Sequence, residues 1–227
     1  MNKPNPKNRK TNKTEEDLVH NLISFIEKAS ENFISSSFFK TQYHQKSDED
    51  HFTEILILHF FEENKQYNEK YIFINQATQE GRRRVDIGIG LHGGNGDYIF
   101  CIEAKILPTN EYITSNTGAI KRFKKCEHGL NSSNPVRKKT LPHNAVVAYV
   151  KSGTFEEHFN KINKKIEKIA KTYSKKTDEF DLTWNNSEQL EKVYCNSIAR
   201  FSSKHPCQQA PDVNLYHFWI YIKTIFS

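Results

Sequence analysis

No apolar run in the sequence reaches the roughly 20 residues that a membrane-spanning helix needs, and the first residues hold no hydrophobic stretch of the kind that directs secretion. A membrane span is therefore not expected, and a cytoplasmic location is. Cysteine is scarce. Cys101, Cys126, Cys195 and Cys207 make no C-x-x-C pair, and Cys101 sits inside an apolar run, so a disulfide framework is not expected either. Cys126 with His128, and His205 with Cys207, are separated by one residue, which is not a usual zinc spacing, and they read as ordinary thiols and imidazoles. No internal repeat is evident, and no aromatic interleaving marks a base-stacking surface.

What the chain does contain is enough apolar material for one sizeable core in 227 residues, at 36% hydrophobic against 26% charged. Its net charge of +6 suits an anionic partner, of which nucleic acid is the commonest, although a basic solvated surface would give the same figure. Residues 1–13 carry Lys3, Lys7, Arg9, Lys10 and Lys13 with two prolines and no acid, and read as a disordered basic tail. Residues 14–227 then form one domain. Within it the N-terminal helices take 14–64, a sheet core takes about 48–150, and an extension of one helix and one strand takes 151–227.

Thr14-Glu15-Glu16-Asp17 has the character of a helix start, with Leu18, Leu22, Phe25 and Ile26 following at helical spacing. A second helix is expected from about Ser47 through "DEDHFTEILILHFFEEN", apolar over most of its circumference and so buried on several sides. Three strands follow, at 71–77, 83–91 and 98–105, then a helix from about Thr117 and a covered strand at 145–150. A lysine-rich amphipathic helix carries Phe155, Phe159, Ile162, Ile166, Ile169 and Tyr173 along one side, and "NLYHFWIYI" at 214–222 reads as a last strand. The fold class expected is α/β, a mixed central sheet with flanking helices.

The stretch "RRRVDIGIGLHGGNGDYIFCIEAKIL" carries charge where buried strands would not need it. A hairpin register that sets Asp86 opposite Glu103 also sets Leu91 opposite Tyr98 and leaves Gly93-Gly94-Asn95-Gly96 as a four-residue loop. Alternation then places Arg84, Asp86, Gly88 and Gly90 on one face with Ile99, Cys101, Glu103 and Lys105. Val85, Ile87, Ile89, Leu91, Phe100, Ile102 and Ala104 take the core side. Two carboxylates and one ammonium thus meet on a patch whose glycines leave room above the backbone. Carboxylates so close repel unless a cation lies between them, and a hard divalent ion such as Mg2+ is the natural candidate. The plainer alternative is an exposed polar strand face bearing a Glu to Lys pair.

Asp86, sixteen residues, then Glu103-Ala104-Lys105, in the order helix, three strands, helix, strand, resembles the PD-(D/E)xK nuclease superfamily of restriction-endonuclease-like folds. The resemblance covers roughly residues 48–150, with Val85 standing where the name-giving proline would be. It implies hydrolysis of a phosphodiester, DNA before RNA, with Mg2+ or Mn2+ held by Asp86, Glu103 and the carbonyl of Ala104. Lys105 would orient or deprotonate the attacking water and stabilise developing charge. Glu54 would be a fourth acid reaching the metal from the helix, or else a surface residue beside Asp50 and His51. Lys121, Arg122, Arg84, Lys164 and Lys165 are the candidates for phosphate contact, and several of these suit simple solvation as well. By analogy the setting would be restriction or phage defence, acting alone, as a homodimer or in a larger defence complex. A nucleic-acid-binding module on the same fold that does not cut is the alternative.

Overall fold

A computed structural model describes residues 6–42, 48–79, 83–115, 117–132, 134, 138–173, 183–207 and 210–222; of residues 6–15 it describes the backbone alone. The elements are α1 (Pro6–Asn32), α2 (Ser37–Gln42), α3 (Glu49–Asn64), β1 (Tyr71–Thr78), β2 (Arg84–Leu91), β3 (Tyr98–Leu107), α4 (Ala119–Lys124), β4 (His143–Val150), α5 (Phe155–Tyr173), β5 (Glu191–Cys195), β6 (Ile198–His205) and β7 (Val213–Tyr221). The helix, three strands, helix, strand order expected from the sequence is α3 to β4. Helix α1 begins at Pro6, so most of the expected tail is helical backbone, and residues 1–5 lie outside the described residues.

Among the described residues seven strands form one mixed sheet in the order β1-β2-β3-β4-β7-β6-β5. Both outer thirds are antiparallel, while β3, β4 and β7 run parallel at the centre. A parallel strand covered on both faces has no solvated side, and this is why residues 145–150 read as an unbroken apolar run. Two cores result. Leu22, Phe25 and Ile26 of α1 and Phe52, Ile55, Leu56 and Phe60 of α3 pack on one face, against Ile87, Phe100, Ile102 and Tyr149. Ala119, Ile120 and Phe123 of α4 and Phe155, Ile162 and Ile166 of α5 pack on the other, against Cys101, Val146, Ala148 and Trp219.

The C-terminal third holds three strands rather than the single one expected, and they continue the sheet beyond β4. In the hairpin, Ile87 faces Ile102 and Ile89 faces Phe100, the expected register, but a slip between Ile89 and Gly90 sets Gly90 opposite Tyr98. Leu91 therefore does not pair with Tyr98, and six residues rather than four separate the strands. Val85 joins the core on the α4 and α5 side, not that of Ile87 and Ile89. The glycines do not open space above the sheet. A Cβ on Gly88 would stand 2.5 Å from Ala77 Cβ and 2.9 Å from the Tyr98 ring, so its bare face is filled by neighbours.

Candidate active site

The site forms where β2 leaves β3. The β2 to β3 pairing ends at Ile87 and Ile102; Val85 and Arg84 pair only with β1, whereas β3 continues to Leu107 along β4. The edge of β3 vacated by β2 exposes backbone N–H groups that need acceptors. Two carboxylates supply them. Ala104 N donates to Asp86 Oδ2 at 2.7 Å, and Ile106 N donates to Glu49 Oε2 at 3.0 Å. Glu49 stands in the first turn of α3, behind the N-cap Asp48, whose side chain accepts from His51 N at 2.9 Å.

Glu103 and Lys105 occupy this same segment of β3 on the face of Cys101 and Leu107. They are not on a solvated strand face: Glu103 is 1% exposed and Lys105 5%. Lys105 Nζ donates to Ala104 O at 2.6 Å and Glu49 Oε1 at 3.0 Å, and lies 3.2 Å from Glu103 Oε1. Arg122 of α4 donates from Nη1 to Glu103 Oε1 at 2.8 Å. His128 Nδ1 lies 2.9 Å from Glu103 Oε2 without hydrogen-bond alignment, leaving both buried atoms without a hydrogen-bond partner. On the far side of Asp86, Gln76 takes a positive φ of 50° and donates from Nε2 to Asp86 Oδ1 over a long 3.3 Å.

Burial pushes the Asp86 carboxyl up to about 7, with the negative charge of Glu103 adding to it against the Ala104 hydrogen bond and Lys105. Glu103 goes the other way. Burial alone would raise it, but His128, Lys105 and Arg122 together hold its carboxyl below the ordinary range. Burial likewise works to lower Lys105, and the three acids Glu103, Glu49 and Asp86 outweigh it, so the ammonium is retained. Two neighbouring carboxylates pushed in opposite directions are a recognised mark of a working site, and also of a structural ion-pair network.

Among the described residues no three His, Cys, Asp or Glu side chains group closely enough to enclose a metal ion. Mg2+ does not require such a cage, because it keeps several waters and takes one or two carboxylates. The residues present fit that demand. Asp86 is an anion short of positive charge, its Oδ1 is weakly engaged, and Glu103 Oε2 has only His128 Nδ1 beside it, at 2.9 Å and out of hydrogen-bond alignment. Ala104 O, the third expected ligand, is taken up by Lys105.

Asp86, Ala104, Glu103 and Lys105 thus come together as expected, and Glu54 does not. Its side chain is exposed, five residues on from Glu49 along α3, and the acid that reaches Lys105 is Glu49. Glu54 is the acid within the apolar stretch of α3. The usable signal was positional, an acid in the first helical turn where a strand edge needs an acceptor. Arg122 is at the site, but as a partner of Glu103 rather than a free phosphate clamp. Lys121 donates to Thr114 O over 3.4 Å, and the α4 that bears it is only six residues long. Arg84 and Lys164 are exposed, while Lys165 donates to Asn110 O at 3.1 Å. No family model matches the chain, and comparison with curated proteins and with solved structures finds no match.

Proposed function

We propose that the chain is a metal-dependent nuclease of the PD-(D/E)xK kind, hydrolysing phosphodiester bonds with DNA as the preferred substrate. The observation that carries this reading is the meeting of Asp86, Glu103, Lys105 and Glu49 where β2 and β3 part. Asp86 and Glu103 would hold Mg2+ or Mn2+, which when bound lowers the pKa of water and offsets charge on a phosphoryl oxygen. Glu49 and the Ala104 carbonyl fix the Lys105 ammonium in place, as a donor toward an oxygen that gains negative charge. Arg122 holds the Glu103 carboxylate from α4.

One observation favours the second reading, a module that binds nucleic acid without cutting. Lys105 is fully engaged by Glu49, Glu103 and the Ala104 carbonyl, as an ammonium with only a structural task would be. The two readings part in one assay. Supercoiled plasmid, linear duplex and single strands are incubated with the protein in Mg2+, in Mn2+ and in chelator. The nuclease reading expects cleavage in either metal, none in chelator, and none by folded Asp86→Ala or Glu103→Ala. Salt-sensitive binding with no cleavage under any condition supports the module instead.

A further inference from the structure

Strand β3 runs from Glu103 and Lys105 to Leu107, whose side chain stands on the same face two residues further on, about 7 Å along the strand. There a cavity of about 400 Å³ opens between the 107–113 segment and α5. Its floor is apolar, from Leu107, Pro108, Ile113 and Ile162, and its rim carries Lys161 and Lys165, one helical turn apart. No acid lines it. Glu157, one turn before Lys161, is turned aside to accept from Thr154 N at 2.8 Å.

The walls are fixed before any ligand arrives. The Tyr112 hydroxyl is bonded to His217 Nδ1 at 2.7 Å and receives Trp219 Nε1 at 2.8 Å, both within the buried sheet. His158 Nε2 bonds Ser152 O at 2.7 Å, and its ring stands nearly perpendicular to that of Trp219. Lys165 is held over the cavity by Asn110 O. Preformed walls, an apolar floor and a cationic rim are the requirements for a ligand with a flat apolar body and an anionic end.

We propose that this cavity receives one nucleotide of the substrate strand next to the scissile bond, its base on the apolar floor and its phosphate between Lys161 and Lys165. Thr109 and Asn110 supply the remaining polar lining, with Asn110 O beside Lys165. The proposal rests on the nuclease reading for its choice of ligand, and it explains which lysines of α5 matter. Lys164, between the two, is exposed and does not line the cavity.

The test uses thymidine 3′,5′-bisphosphate as probe, titrated calorimetrically into the whole chain in chelator, so that neither metal nor cleavage enters. Binding is expected, weakened at least tenfold in Lys161→Ala/Lys165→Ala and within twofold of wild type in Lys164→Ala. On an oligonucleotide the double variant should raise KM several-fold and leave kcat within about twofold, since Lys161 and Lys165 bind rather than react. Absence of bisphosphate binding, or binding that the double variant does not weaken, overturns the proposal even if the protein cuts DNA. Binding lost in the double variant upholds the cavity as a nucleotide site even if no cleavage is ever seen, so the two readings fail separately.

Discussion

Asp86 carries two opposed duties. Its carboxylate satisfies the Ala104 N–H at the frayed edge of β3, yet burial and Glu103 make its charge costly, lifting its pKa from 3.8 to about 7. Between those values the folded state holds a proton that the unfolded state has released. This residue's ionisation therefore destabilises the fold as pH rises through that window. An asparagine keeps an acceptor for Ala104 N without the charge. In chelator, Asp86→Asn should have a higher denaturant midpoint than wild type at pH 8, and the gap should narrow as pH falls below about 7 and close only near about pH 4, where the unfolded chain's carboxyl takes up a proton as well. Comparing the two proteins cancels His217, which burial and the nearby His205 depress to about 3 and which costs stability as pH falls below 6.5. A gap independent of pH would contradict this account of the pair. Glu49 and Glu54 make a second contrast at this scale. Glu49→Gln removes a charge that anchors Lys105 and should slow cleavage about tenfold or more, while Glu54→Gln, at an exposed position, should stay within experimental error.

Helix α4 shows what an element needs when its own chain supplies little. It has six residues and no side-chain N-cap, too short to stand alone, and it must nonetheless deliver Arg122 to Glu103. Ala119, Ile120 and Phe123 bury one side of it, and Lys124 is drawn wholly into the protein to meet Glu188, which also accepts from His205 Nδ1 at 2.8 Å. The chain of contacts goes on through Ser203, bonded to His205 Nε2 and His217 Nε2 at 2.7 Å each, and on to Tyr112. Removing one member of a buried ion pair leaves the other uncompensated. Lys124→Met should therefore cost about 3 kcal/mol in urea denaturation, and a loss below about 1 kcal/mol would show that His205 alone suffices for Glu188. This network also explains what the sequence concealed. Strand β6 was illegible because Ser203 and His205 are polar residues at buried positions, which erases the alternation, and β5 because nearly all of it is exposed. The hairpin was legible because Ile87 and Ile89 alternate with short or polar residues. Its slip at Gly90 was not, since a glycine has no side chain to pin the register.

At the scale of the whole molecule, the net charge of +6 divides unevenly. The cations nearest the site, Lys105 and Arg122, are spent on Glu103 and Glu49, so affinity for a polyanion falls to groups such as the exposed Lys161 and Lys168 along α5. Duplex binding should accordingly weaken by more than tenfold between about 50 and 200 mM salt. The central claim is that Lys105 serves chemistry rather than affinity, and single-turnover cleavage of end-labelled DNA at saturating protein in Mg2+ tests it most directly. Wild type should cut, while folded Lys105→Ala should bind the same DNA within a few-fold and cut about a hundredfold more slowly or worse. Equal rates for the two saturated proteins would contradict the account and leave the charges at the parting of β2 and β3 as a structural ion-pair network.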